Sequence, residues 1–143
     1  GYNYRMTNIC AAIGVSQLED AKYIINKKRK IFIKYKNTIL KNKFIRLFEE
    51  TSNVKSSYWL IVIILKNKNL KKKLEKYLLN NNIETRPTFY PIHKLPIYNT
   101  NDKLAIAEKL GECGICLPSF PDIKTKEINF VSKKINQFFD EVR

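Results

Sequence analysis

Eight consecutive residues, Tyr58-Trp59-Leu60-Ile61-Val62-Ile63-Ile64-Leu65, contain no charged side chain and are rich in β-branched ones. The run is short for a helix and lacks the polar alternation of a half-exposed strand. It therefore reads as a central strand buried on both faces. Such a strand needs other strands beside it and helices across it. Phe44 to Phe48, Ile83-Glu84-Thr85-Arg86 (ended by Pro87) and Gly114 to Leu117 (ended by Pro118) are the strand candidates that could flank it.

Helical periodicity fills most of the rest. Thr7 can cap a helix running to about Glu19, with Ile9, Ala12, Ile13 and Ser16 on one stripe. Gly14 weakens that helix by about 1 kcal/mol relative to Ala, which suggests a packing reason for it. A second helical stretch spans about Asp20 to Leu40. Ala21, Ile24, Ile25, Ile31, Phe32, Tyr35 and Ile39 keep near-3.6 spacing there, and Lys27, Lys28, Lys30 and Lys34 take much of the remainder. Asn69 to Asn80 is amphipathic through Leu70, Leu74, Tyr77 and Leu78, and Asn80 to Asn82 stops it. Leu104 to Leu110 reads as a short helix. Thr125 opens a last one with Ile128, Val131, Ile135, Phe138, Phe139 and Val142 on one face. The order predicts an α+β layer, with long N-terminal helices packed on a small, mainly antiparallel sheet. At 143 residues, with no repeat and no internal boundary, one domain is expected.

Composition narrows the functional classes. A 44% hydrophobic content with one Trp, eight Tyr and eight Phe excludes a disordered tail. The longest apolar run falls well short of the roughly 18 residues of a membrane span, and no signal peptide is visible. Three cysteines without an export signal suggest a reducing, cytoplasmic setting. The formal net charge of +14 invites a nucleic-acid reading. The basic residues are 22 Lys and 5 Arg, however, whereas nucleic-acid surfaces draw heavily on the planar Arg fork. Lys, Asn and Ile are abundant together, as a coding bias towards A- and T-rich codons would make them. The charge is read as solvated Lys surface, with a nucleic-acid-binding module or a non-catalytic dimerisation module as alternatives.

Most motif candidates dissolve on inspection. Cys113-Gly114-Ile115-Cys116 leads into a strand, where a redox pair would open a helix, and it lacks the second pair of ligands a zinc site needs. The two thiols read as core. The four glycines are dispersed, which excludes a phosphate-binding glycine loop. What remains is Arg86-Pro87-Thr88-Phe89-Tyr90-Pro91-Ile92-His93-Lys94-Leu95-Pro96, whose three prolines rule out a regular element and make a stiff loop. Taken alone, His93 fits loop packing as well as catalysis. With Arg86, Phe89 and Tyr90 beside it, a ligand-binding role stands level with that reading.

These residues also carry a resemblance. The segment from Gly1-Tyr2-Asn3-Tyr4-Arg5-Met6-Thr7 through Ala11-Ala12, Gly14 and Gln17-Leu18-Glu19 resembles the G-x-N-x-R-M segment of the DegT–StrS nucleotide-sugar aminotransferases. The likeness continues through Ser57-Tyr58-Trp59, Ile83-Glu84-Thr85-Arg86-Pro87, Phe89-Tyr90-Pro91-Ile92-His93 and Gly114 to Ser119. These are fold-type I enzymes that use pyridoxal phosphate (PLP). The resemblance implies the C-terminal small domain of such an enzyme, residues 1–143, with 1–40 as the interdomain helical segment. The domain bearing the Schiff-base lysine would lie upstream, so the chain alone is expected to be inactive. The resemblance further implies Asn3 and Arg5 as cofactor-binding residues, Asn3 at the PLP phosphate of the opposite subunit of a homodimer and Arg5 supporting that loop or an anion. It implies Arg86, Phe89, Tyr90 and His93 as substrate-binding residues bordering a nucleotide-sugar pocket. The Tyr-Trp pair and the proline loop look most like members that transfer an amino group from glutamate to C4 of a GDP-linked 4-keto-6-deoxy sugar for surface-glycan synthesis. Metal, membrane and specific nucleic acid are not expected.

Overall fold

In the computed structural model, residues 2–39, 43–98, 100 and 102–141 are described; Gly1 and the expected ends at Leu40 and Val142 lie outside them. The two helices expected before residue 40 are one. Helix α1 runs unbroken over Asn8–Thr38, 31 residues. Nothing between Glu19 and Asp20 removes a backbone donor or caps a terminus, so propagation continues once the helix is nucleated. Its start is as expected: the Thr7 side chain accepts from the Cys10 N–H at 3.2 Å. Packing divides the helix. Ile31, Phe32 and Tyr35 are buried, whereas Ile9 and Ile13 near its start are 74% and 60% exposed. Gly14 has nothing within 4 Å of where a Cβ would stand, so no packing reason for it is found among the described residues.

Among the described residues there are four strands: β1 (Ile45–Leu47), β2 (Ile61–Leu65) and β4 (Gly114–Leu117) fall within the expected segments, whereas β3 (Arg86–Pro87) shares only Arg86 with the strand expected over Ile83–Arg86. Their order across the sheet is β1-β2-β4-β3, every neighbouring pair antiparallel. The centre is β2 against β4, with Ile63 opposite Ile115. Alternation sends Ile61, Ile63, Leu65, Ile115 and Leu117 into one core with the apolar stripes of three helices. Those helices are α1, α2 (Lys68–Asn80) and α4 (Thr125–Glu141). Leu74 and Leu78 from α2 and Ile135 from α4 are fully buried there, each contributing about 1.5–3 kcal/mol. Asn67 caps α2 by accepting from the Leu70 N–H at 2.9 Å, and Asn82, at φ 58°, turns the chain away after it.

Three local differences bear on the site. The central strand starts at Ile61 and not at Tyr58, because Tyr58 adopts φ 49° and turns the chain, leaving Trp59 68% exposed. Pro87 lies within β3 and does not end it. On this outer strand a missing N–H costs no ladder bond to a further neighbour. The proline loop contains two single 3-10 turns, Ile92–Lys94 and Pro96–Tyr98, where no element was expected. Helix α3 (Ala105–Cys113) then runs directly into β4.

Candidate functional site

The edge strand β3 sets one wall of an open cleft of about 1170 Å³. Its lining is mostly apolar, with Arg86, Trp59, Cys116, Phe130 and the buried Lys28 among the residues that shape it. Such a cleft, apolar with a few polar groups, is the ordinary form of a small-molecule site. Arg86 is exposed and faces this space. Phe89 and Tyr90 are 70% and 64% exposed, and the Phe89 ring stacks on Trp59 with centroids 5.9 Å apart and planes 26° from parallel. Arg86 and Trp59 thus border one cleft, with the Phe89 ring stacked on Trp59; Phe89 and Tyr90 themselves are not part of its lining.

His93 is placed differently. It is 8% exposed, and its Nε2 lies 3.1 Å from Oε1 of Glu108 on α3; Lys94 Nζ approaches the same oxygen at 3.4 Å. The His93 hydrogen bond, with help from Lys94, holds the Glu108 carboxyl below its ordinary value. The remaining loop contacts are close. The Thr88 hydroxyl donates to the Leu110 carbonyl at 2.7 Å, and Gly111 leaves room for Pro91. His93 is therefore turned into the α3 contact and is not part of the cleft lining.

Asn3 and Arg5 sit on the exposed segment before α1, where the Arg5 backbone N–H donates to Asn3 Oδ1 at 3.1 Å. No hydrogen bond or ion pair among the described residues joins them to Arg86, Phe89, Tyr90 or His93. An exposed amide and guanidinium can both meet an anion, so this pair fits the phosphate end of a cofactor.

Lysine 28 was read as one of several solvated lysines and is instead buried, 7% exposed. Its ammonium donates to the Ser119 backbone carbonyl and, at 3.0 Å, to the Ser119 hydroxyl, and burial pushes its pKa down. No carboxylate among the described residues pairs with it. The signal was present in the sequence: Lys28 falls four residues after Ile24 and three before Ile31, on the apolar stripe itself. Trp59 and Glu108 were also absent from the expected site. Trp59 belongs to the Ser57-Tyr58-Trp59 motif, whereas Glu108 has no local pattern to mark it.

Other sites recede. Cys113 and Cys116 are buried free thiols, and burial pushes the Cys116 thiol up, opposite to what a reactive cysteine needs. Cys10 is free and exposed. Among the described residues no group of His, Cys, Asp or Glu could hold a metal ion, and no helix is long and apolar enough to cross a membrane.

The four-stranded antiparallel sheet and the helices packed on it recur in solved structures. A putative sugar aminotransferase from Streptococcus pneumoniae, in its PLP form, superposes with a TM-score of 0.81 at 19% identity. The match covers 97% of this chain and 37% of that one. Residues 1–136 match the DegT/DnrJ/EryC1/StrS aminotransferase family, and the chain belongs to it. It is 42% identical over 142 residues to a GDP-perosamine synthase of Escherichia coli O157:H7, covering 99% of this chain and 38% of that protein. It is 39% identical over 144 residues to a GDP-perosamine synthase of Vibrio cholerae, covering 97% of this chain and 39% of that protein. The chain thus spans about two fifths of the length of these relatives.

Proposed function

We propose that the chain is the C-terminal portion of a PLP-dependent aminotransferase, with residues 1–40 as its interdomain segment. The reaction would transfer the amino group of glutamate to the keto carbon, C4, of a GDP-linked 4-keto-6-deoxy sugar in the cytoplasm. The observation that carries this reading is the run of 42% identity through 99% of the chain to a GDP-perosamine synthase. The cleft supports it physically: Arg86 beside exposed aromatic rings suits an anionic, ring-bearing ligand.

Each residue has a task in that reading. Asn3 and Arg5 donate hydrogen bonds to the cofactor phosphate of the opposite subunit in a homodimer. Arg86 supplies a planar pair of donors to phosphate oxygens of the nucleotide sugar, a charge-assisted contact stronger than a neutral one. Phe89 and Tyr90, with Trp59 behind them, cover the apolar faces of sugar and base and exclude water. His93 belongs to this loop and sets its course through Glu108. When bound, PLP supplies the electron sink for amino transfer. The chain's own residues contribute orientation, which lowers the barrier by holding the ketone where the amino group arrives. The Schiff-base lysine would lie in the portion outside this chain, so the chain alone is expected to be inactive.

The test is made on the whole protein. Purified with PLP and given glutamate and a GDP-linked 4-keto-6-deoxy-mannose, it should form 2-oxoglutarate and amino sugar in equal amounts. The isolated chain should form neither. Amination at C3, or preference for a UDP- or dTDP-linked ketone, would overturn the substrate assignment. Absence of glutamate-dependent amination with every nucleotide-linked ketosugar would overturn the reading as a whole.

A further inference from the structure

Anchors at Thr88, Pro91 and His93 bind the proline loop to α3, and the exposed rings lie between them. Thr88 donates to the Leu110 carbonyl at 2.7 Å. Pro91 sits so close over Gly111 that a Cβ there would stand 2.9 Å from Pro91 Cδ and 3.2 Å from the Phe89 carbonyl oxygen. His93 Nε2 meets Glu108 Oε1 at 3.1 Å. Two of these contacts are packing or a hydroxyl bond. The third places a carboxylate, 34% exposed at its side chain, against a buried ring.

We propose that Glu108 is the positioning residue of the aromatic wall: by holding His93 it seats residues 88–94 on α3 and sets the Phe89 ring against Trp59. A half-exposed glutamate fills no core space, so its removal opens no buried cavity. Its loss instead leaves the buried His93 ring without its partner, and the cheapest relief is for the loop to lift and hydrate that ring. Lys94 shares the same carboxylate oxygen and would be released with it. Phe89 and Tyr90 have little burial of their own to resist that movement, being mostly exposed. The place of the Phe89 ring against Trp59 therefore rests on the anchors at Thr88, Pro91 and His93. The meaning of this for substrate rests on the function proposed above; the mechanical linkage does not.

Trp59 is the only tryptophan in the chain and stacks on the loop, so its fluorescence reads the linkage directly. In the whole protein, with any further tryptophans replaced by Phe, Phe89→Ala defines the signal of an unstacked Trp59. Glu108→Ala should move emission and acrylamide quenching most of the way to that signal with far-UV circular dichroism unchanged. Glu108→Gln, which keeps an acceptor, should restore most of the parent signal. Gly111→Ala pushes the same segment off α3 from another side and should reproduce the change even if Glu108→Ala folds poorly. In turnover assays Glu108→Ala should raise KM for the GDP-linked ketosugar about tenfold while kcat stays within about twofold. Unchanged Trp59 quenching in a folded Glu108→Ala, with a clear change in Phe89→Ala, would overturn the linkage whatever Gly111→Ala does. A changed Trp59 signal with an unchanged KM would uphold the linkage and overturn the assignment of this loop to substrate.

Discussion

Phe32 of α1 stacks on Tyr58 with ring centroids 3.9 Å apart and planes 10° from parallel, joining the long helix to the turn that precedes the central strand. Tyr58 holds that position at φ 49°, a conformation a non-glycine residue adopts only where its surroundings compensate. The compensation is visible. Its hydroxyl accepts from the Glu50 N–H at 3.3 Å, and the Arg29 guanidinium lies 5.5 Å from its ring. Arg29 in turn binds both carboxylate oxygens of Glu50 and the Ser56 carbonyl. The 50–58 connection is thereby fastened to α1, and Trp59, the next residue, reaches the cleft from a fixed base.

Removing the Tyr58 ring should be among the most damaging single changes in the chain. Tyr58→Ala is expected to cost about 3–5 kcal/mol, since an aromatic ring leaves a buried stack. Tyr58→Phe, which loses only the hydroxyl contact, should cost about 1 kcal/mol. Urea denaturation of both variants measures the difference; equal costs would mean that the hydroxyl, and not the stack, holds the turn.

Acid should weaken the same connection. Hydrogen bonds from Arg29, then from the Ser56 N–H, pull the Glu50 carboxyl from 4.5 to about 2. A carboxyl whose folded value lies below its unfolded one stabilises fully above the unfolded value, and that stability is lost as pH falls towards the folded one. The melting temperature should therefore drop between about pH 4.5 and 2, and Glu50→Gln should flatten that part of the profile. A Glu50→Gln profile parallel to the parent's would show that other carboxylates carry the acid sensitivity.

Gly114 should tolerate no side chain, for a reason of space and not of backbone angle. A Cβ there would stand 2.4 Å from Thr88 Cγ2 and 2.6 Å from the Leu110 carbonyl oxygen. Gly114→Ala must move either the proline loop or the end of α3, and about 1–3 kcal/mol of destabilisation is expected. Gly14→Ala is its counterpart. With open space around it, the substitution should stabilise α1 by up to about 1 kcal/mol. Thermal melts of the pair should move in opposite directions.

Arg86 gives the prediction that bears most directly on substrate. Arg86→Ala in the whole protein should raise KM for the nucleotide sugar about ten- to a hundredfold, the worth of one charge-assisted hydrogen-bonded contact. Arg86→Lys should recover only part of the loss, because a point charge cannot reproduce the planar fork. An unchanged KM in Arg86→Ala would remove this residue from the binding surface.

How much of this could be read from the sequence depended on distance along the chain. The strand at Ile61–Leu65 was legible as a β-branched apolar run, and that at Gly114–Leu117 as a short apolar segment stopped by Pro118. The cap at Thr7 and the stripe on α4 were local as well. The join between the two expected helices was misread because a change of apolar phase near Glu19 resembles a boundary while leaving the backbone ladder intact. Lys28 was misread by residue type, since lysine is ordinarily solvated, although its place on the apolar stripe pointed inward. The pairing of His93 with Glu108 spans 15 residues between a loop and a helix, and no periodicity reports such a contact. Phe89 and Arg86 were identifiable as binding candidates, but their shared border through Trp59 is a tertiary fact.

The first half of α1 supplies the remaining prediction. Ile9 and Ile13 lie on one side of the helix and Leu18 on another, at 74%, 60% and 74% exposure. A helix apolar on more than one side is a buried helix, and among the described residues nothing buries it. The isolated chain should therefore self-associate through this segment, with a weight-average mass that rises with concentration in sedimentation. The double variant Ile9→Glu/Leu18→Glu places a charge on each side and should shift the mass towards monomer. It should leave the unfolding free energy from urea titration within about 0.5 kcal/mol of the parent, because neither side chain enters the core. In the whole protein the same two charges should do the reverse, lowering stability by several kcal/mol if these sides are covered there. A parent chain that stays monomeric, together with a whole protein indifferent to both charges, would show that this half of the helix stands in solvent in its native setting.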